Sequence, residues 1–352
     1  MIVKQAHFGV QVDVHKAEVH SYDLPKLKPD ELLLKIEICN ICTTDYQRFN
    51  GQRNCELPMA DGHEFCGIIV DKGNSVQAEL NIGDRVGKLN RYCGICEDCL
   101  RGDTGNCLNI GEYPVDEYNY HGFKAFANYK IIPQRLAIKI SNEIPATEAA
   151  FLEPVMTAVH AVKKARIRPM EIVVVIGAGT MGIVNAQVAH AFGAKTYITD
   201  ISNKKVERAK KMNIGPVFNS AIENSVERIM DLTNGRGADT VIVTVPVSSA
   251  YQQAYDMVRH FDGKIVFFPA GYPKPKFDFD PNDLHYRKME FIGTVDGDTV
   301  DFVDAARLLS QRLIHMNFAL EGKTIPLRNF QLALETACIP DSYRVSVDCQ
   351  QI

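Results

Sequence analysis

The sequence predicts an α/β protein in two parts, an irregular antiparallel β domain and a doubly wound parallel sheet. Three observations carry this. The apolar run Ile172–Ile176 leads into Gly177-Ala178-Gly179-Thr180-Met181-Gly182, and a helical pattern follows. Downstream, strand-like runs alternate with helical stretches, which implies parallel strands joined by helical crossovers. Upstream, short strands and turns dominate. At 352 residues the chain is long for one core, so two domains are expected.

In chain order, residues 1–153 form the first part of the β domain, with strands over 31–38 and 66–71 and a turn into a strand over 82–87. Residues 154–292 form the parallel-sheet domain. After the glycine-rich unit come strands at 239–245 and 263–268, with helices over 203–212 and 248–260 between them. Residues 293–352 hold an amphipathic helix over 301–312 and then short strands. This tail lacks a further strand-helix-strand unit, so it is expected to return to the first domain.

The glycine-rich stretch reads as a nucleotide site. Gly177 permits the tight turn, Gly179 lets backbone approach a pyrophosphate, and Gly182 seats the helix on the strand. Thr180 and Met181 open that helix, whose unpaired N–H groups favour phosphate. A second strand, 195–199, ends in Asp200, 23 residues beyond Gly177, placed to accept the hydroxyls of an adenosine ribose. That carboxylate repels a 2′-phosphate, so NAD is expected over NADP, although Lys204 and Lys205 lie close downstream. Lys205 and Thr244 complete the expected cofactor-binding set.

Composition excludes several classes. A net charge of -4 gives no reason for a nucleic acid or an anionic membrane as partner. No stretch approaches the roughly 18 apolar residues of a membrane span, and 1–7 has no secretory pattern, so a cytoplasmic protein is expected. Ten cysteines could suggest disulfides, but four of them crowd into 93–107. That grouping reads as metal binding.

The set Cys93-x-x-Cys96-x-x-Cys99-x7-Cys107 offers four thiolates, a closed tetrahedral site suited to structural zinc. An iron–sulfur cluster also uses four thiolates, but the proline after the last Cys is missing and the spacing differs. A second set is dispersed: Cys42, Gly62-His63-Glu64 and Glu153-Pro154. One sulfur, one nitrogen and carboxylate oxygens suit a zinc that keeps room for water or substrate.

With these pieces the chain resembles the zinc-containing medium-chain dehydrogenases of the alcohol dehydrogenase superfamily, nearest the sorbitol and threonine dehydrogenase branch. The likeness covers essentially the whole chain. It rests on Cys42-Thr43-Thr44-Asp45, Gly62 to Gly67, Gly83-Asp84-Arg85-Val86, the four-cysteine lobe, Glu153-Pro154 and Gly177 to Gly182. It implies a GroES-like catalytic domain, a Rossmann domain, two zinc ions per chain and NAD. Cys42 and His63 match zinc ligands, and Glu64 and Glu153 match carboxylates of the polyol branch that bind the ion or its water. Asp45 matches the carboxylate that orients a ligand His, and Thr44 the hydroxyl that relays the substrate proton. Homodimers or homotetramers through the Rossmann sheet edges are also implied.

The chain departs from the family at three places. Gln47 stands where a relay His is common. The segment often reading Gly-Gly-Phe-Ala-Glu-Tyr is His121-Gly122-Phe123-Lys124-Ala125-Phe126-Ala127. Thr294-Val295-Asp296-Gly297-Asp298 replaces an Arg-Tyr pair after Gly293. The expected reaction is hydride transfer between NAD(H) and a secondary hydroxyl of a polyol or sugar derivative. The alternatives are a 3-hydroxy amino acid or a polyol phosphate as substrate, or a nucleotide-binding protein without turnover. Tyr46, Phe49, Tyr118, His121, Asp296 and Asp298 are substrate-side candidates. Cys39, Cys55, Cys66, Cys338 and Cys349 read as small hydrophobes.

Overall fold

The computed structural model describes residues 3–111 and 114–352. Met1 and Ile2, which open the N-terminal stretch searched for a leader, lie outside the described residues. The chain divides into two compact units: Met1–Pro154 with Gly297–Ile352, and Val155–Asp296.

The first unit is built on the long strand Glu31–Asn40. It pairs antiparallel with Glu64–Lys72 on one side and with Tyr129–Pro133 and Ser346–Asp348 on the other. Arg85–Lys88, Ala137–Lys139 and Ile325–Pro326 extend this into a seven-stranded sheet. A separate hairpin joins Gln5–Asp13 to Lys16–Asp23. The core beneath the sheet gathers Leu32, Leu34, Ile36, Phe65, Ile69, Phe126 and Phe330. Alternation along these strands is incomplete because residues on both faces are covered, as in the three successive buried residues Leu32, Leu33 and Leu34.

Strand boundaries decide where site residues sit. The strand expected over 66–71 begins two residues earlier, at Glu64, so Glu64 is held by ladder hydrogen bonds opposite Asn40. Ahead of it Gly62 has φ +106°, and a Cβ there would press on the Phe126 backbone N at 2.9 Å. Only glycine turns the chain at this point.

The second unit is a six-stranded parallel sheet. Its order is Val217–Asn219, Lys195–Asp200, Ile172–Ile176, Thr240–Val243, Lys264–Phe267, Glu290–Gly293. The order reverses between Ile172–Ile176 and Thr240–Val243, the switch point where such sheets bind nucleotides. Helix Thr180–Ala191 follows the glycine-rich turn and is buried almost all round. Two helices end earlier than their sequence pattern suggests, Asn203–Lys210 and Ser248–Met257. In the second, Val258 leaves the helix to pair with Ala238. Tertiary pairing there outweighs helical propensity. Among the described residues no helix is long and apolar enough to cross a membrane.

Candidate active site and zinc lobe

Two neighbouring strand ends bring the dispersed metal candidates together. Glu31–Asn40 delivers Cys42, whose backbone caps the short helix Thr43–Phe49, and Asp45 accepts a hydrogen bond from the Cys42 N–H at 2.8 Å. Glu64–Lys72 starts at its paired end with His63 and Glu64. One ligand atom each of Cys42, His63 and Glu64 then lies within 4.8 Å of the others. Asp45 and Asp61 form a comparable group with His63. Thr44 Oγ1 lies 3.8 Å from Cys42 Sγ. Glu153, in the first turn of helix Leu152–Lys164, stands outside these groups, but its charge acts on His63 and Arg344.

The donor set suits a cation, which would displace the protons that these groups otherwise carry. Burial opposes the Cys42 thiolate, yet His63 and Arg344 bring its pKa below the usual thiol value. Burial likewise opposes the His63 imidazolium, but Cys42, Asp45 and Glu153 raise its pKa well above normal. Burial pushes Glu64 up to about 8 against the pull of Arg344. Asp45 is pushed up to about 7, again by burial first. Glu64 Oε2 and Asp45 Oδ1 are buried acceptors without a hydrogen-bond partner. Such atoms are costly unless something positive meets them. A ready thiolate, an imidazole and an orphaned carboxylate oxygen fit zinc.

Arg344 lies in no recognisable sequence pattern. It arrives on the C-terminal segment, which is pinned where Ile41 N–H bonds Val345 O at 2.9 Å. Arg344 Nη2 donates to Glu64 Oε1 at 2.7 Å, with the two side chains 5% and 0% exposed. Arg48, also unforeseen, pairs with buried Asp61. Nothing local marks either arginine as internal, since both partners are set by tertiary contact.

The four-cysteine lobe closes on itself. Its four sulfurs lie within 4.8 Å of one another. Ile95 and Cys96 N–H groups point to Cys93 Sγ at 3.4 and 3.3 Å, and the Cys93 N–H to Cys107 Sγ at 3.2 Å. Those donors lower Cys93 to about 6, whereas desolvation and the neighbouring thiols raise Cys99 to about 12. Thiols at this spacing cannot all ionise without a cation, and the donor set suits a closed zinc site.

In the second unit Gly177 takes φ +105°, and a Cβ on Gly182 would collide with the Gly177 carbonyl oxygen. Asp200 is fixed by two donors: Ala178 N–H to Oδ2 at 2.6 Å and Ser202 N–H to Oδ1 at 2.8 Å. Thr244 Oγ1 donates to Ile176 O at 2.8 Å, tying the two central strand ends. Lys205 Nζ reaches to 4.0 Å of a Cβ built on Gly179. Thr180 and Met181 open the following helix.

The substrate-side candidates separate. Phe49 is packed in the core, and Asp298 caps helix Thr299–Ser310 while accepting from Gly105 N–H at 2.8 Å. His121 Nδ1 lies 3.1 Å from Glu56, and Tyr118 is exposed. Cys39, Cys66 and Cys349 are buried, with Cys55 and Cys338 half-buried.

A fold that presents a glycine-rich turn at a sheet's switch point, together with two zinc-suited sets, defines a zinc- and nicotinamide-linked dehydrogenase. Comparison with known proteins agrees. Residues 28–142 match the alcohol dehydrogenase GroES-like domain, and residues 180–311 match the zinc-binding dehydrogenase model. An L-threonine 3-dehydrogenase of Chelativorans sp. (strain BNC1) is 32% identical over 276 residues, 77% of each chain. A sorbitol dehydrogenase of Bacillus subtilis (strain 168) is 30% identical over 267 residues, 73% of each. A zinc-binding dehydrogenase of Sinorhizobium meliloti 1021, solved with NADP, superposes with TM-score 0.86 at 24% identity, covering 98% of this chain and 99% of that one. The chain belongs to the zinc-containing medium-chain dehydrogenases of the alcohol dehydrogenase superfamily, and it is an oxidoreductase.

Proposed function

We propose that the protein transfers a hydride between NAD(H) and a secondary hydroxyl or ketone of a polyol or sugar derivative. The observation that carries this reading is the convergence of Cys42, His63 and Glu64 beside the Thr44 hydroxyl. Cys42, His63 and Glu64 would hold one zinc, with Glu153 contributing charge, and Cys93, Cys96, Cys99 and Cys107 a second. Zinc supplies Lewis acidity and NAD accepts the hydride. The chain does the rest. Asp45 fixes the Cys42 backbone and sets the charge around His63. Thr44 Oγ1 takes the substrate proton, and because Gln47 cannot titrate, Glu64 or Glu153 serves as the next acceptor. Asp200, held by Ala178 and Ser202, accepts the ribose hydroxyls and disfavours a 2′-phosphate. The molecule works in the cytoplasm as a homodimer or homotetramer.

A threonine-type 3-hydroxy amino acid is the second reading, favoured by the name of the Chelativorans relative. The carboxylate of such an amino acid needs a cation at the site, and Arg344 and Arg48 are already engaged by Glu64 and Asp61. The deciding experiment follows NADH formation across polyols, polyol phosphates and threonine, with NAD or NADP, with and without a zinc chelator. Chelator-sensitive turnover of a polyol with NAD supports the proposal. Turnover of threonine alone replaces the substrate, and no turnover with two zincs and NAD bound removes the reaction.

A further inference from the structure

Outside both metal sets, three polar side chains of the first unit form a chain of hydrogen bonds. Strand Lys16–Asp23 places Glu18 and His20 on one face, since side chains two apart along a strand point the same way. Glu18 Oε2 lies 3.0 Å from His20 Nε2, and Lys16 Nζ holds the other Glu18 oxygen at 3.0 Å. His20 and Lys16 together keep the Glu18 carboxyl below the usual carboxylate range. His20 Nδ1 lies 2.8 Å from the Tyr120 hydroxyl. The carboxylate fixes the direction of these bonds. It can only accept, so Nε2 carries the proton of the neutral ring, Nδ1 is an acceptor, and the Tyr120 O–H donates to it.

Packing fixes the phenol. Phe8, wholly buried, stands opposite His20 in the hairpin and meets the Tyr120 ring edge-on at 5.1 Å. Asp116 accepts the Tyr120 N–H at 2.8 Å and returns its own N–H to the Tyr120 carbonyl at 3.1 Å. The Lys124 ammonium lies 4.9 Å from the centre of the Tyr120 ring. Solvent still reaches the group: the side chains of His20 and Glu18 are 29% and 43% exposed, and Tyr120 is half-buried. A hydroxyl, a base within hydrogen-bond reach and a carboxylate orienting that base are the parts of an activated nucleophile.

We propose that Tyr120, activated by His20, accepts an acyl group from small activated acyl compounds such as thioesters and acyl imidazoles. The phenol oxygen bonds to the acyl carbon while the bond from that carbon to the leaving sulfur or nitrogen breaks. His20 Nδ1 takes the phenol proton and returns it to the leaving group, so nothing is oxidised or reduced. The product is an acyl ester of Tyr120. Glu18 is a positioning residue that holds His20 in the accepting tautomer. The reaction draws on neither metal set nor the nucleotide unit.

The test treats the zinc-loaded full chain with N-acetylimidazole and follows acetylation of each tyrosine over time by peptide mass spectrometry. Tyr118, on the same loop and 59% exposed, is the internal reference. Tyr120 is expected to acquire its acetyl group at least about tenfold faster than Tyr118, although it is the more buried of the two. His20→Gln should slow Tyr120 by about 100-fold and Glu18→Gln by about tenfold, with Tyr118 unchanged. A merely structural role predicts the opposite sign, because loosening the hairpin exposes Tyr120 and speeds its labelling. Glu18 is exposed, so Glu18→Gln keeps the test valid if His20→Gln fails to fold. Labelling of Tyr120 no faster than that of Tyr118, or a Tyr120 rate that a folded variant leaves unchanged or raises, overturns the proposal.

Discussion

Glu64 and Arg344 form an ion pair taken almost wholly out of water, and such a pair matters most when one half is removed. Arg344→Met leaves Glu64 buried beside Cys42 without its guanidinium partner. A loss of about 3–5 kcal/mol is expected, read as a lower midpoint in urea unfolding of the zinc-loaded protein. Thr44→Val should behave differently. It should keep both metals and NAD affinity, while kcat falls about 100-fold or more, as for loss of a proton-transfer group. Lys130 supplies a pH test. Its folded pKa, about 7, lies below the ordinary lysine value of 10.5 because burial disfavours the ammonium. The unfolded chain therefore binds the extra proton between those values, and stability rises with pH across that window. Below about 7 both states are protonated and the term is constant. Lys130→Met should flatten the rise in Tm between neutral and alkaline pH. At this scale Cys42, His63 and Glu64 were legible because each sits in a short local pattern. Arg344 was not, because its partner is 280 positions away and its neighbours Tyr343 and Val345 carry no signal.

The four-cysteine lobe shows what an element does without a core. Its only helical pieces are Glu97–Arg101 and Thr104–Asn106. Its large apolar side chains, Ile95, Leu100 and Leu108, are 74–77% exposed. A metal held by the four sulfurs would then be the lobe's main cross-link, and its binding there would be folding energy. Cys99→Ser should halve the zinc content measured by atomic absorption and make residues 93–107 the first site of proteolysis. The lobe was readable from spacing alone, since thiol geometry is local. Helix ends were less so. Val258 continues an acceptable helical pattern, and only the neighbouring Ala238 backbone explains why the helix stops at Met257.

For the whole molecule, alternation of strands and helices made the parallel sheet predictable, and the glycine turn falls at its switch point. Strand order was beyond reach, because which strands become neighbours depends on crossovers that local patterns do not encode. The same limit applied to the first unit, where Ser346–Asp348 is sewn to Glu31–Asn40 across most of the chain. That seam has a consequence in time. A ribosome releases Cys42, His63 and Glu64 early, and Arg344 emerges only after the entire parallel sheet has been made. The nucleotide unit, contiguous in sequence, can fold while its companion still waits for its last strand. Nascent chains stalled before residue 340 should already retain dinucleotide on an affinity matrix. Catalysis should appear only at release, so the order of synthesis itself keeps a half-made enzyme from turning over its substrate.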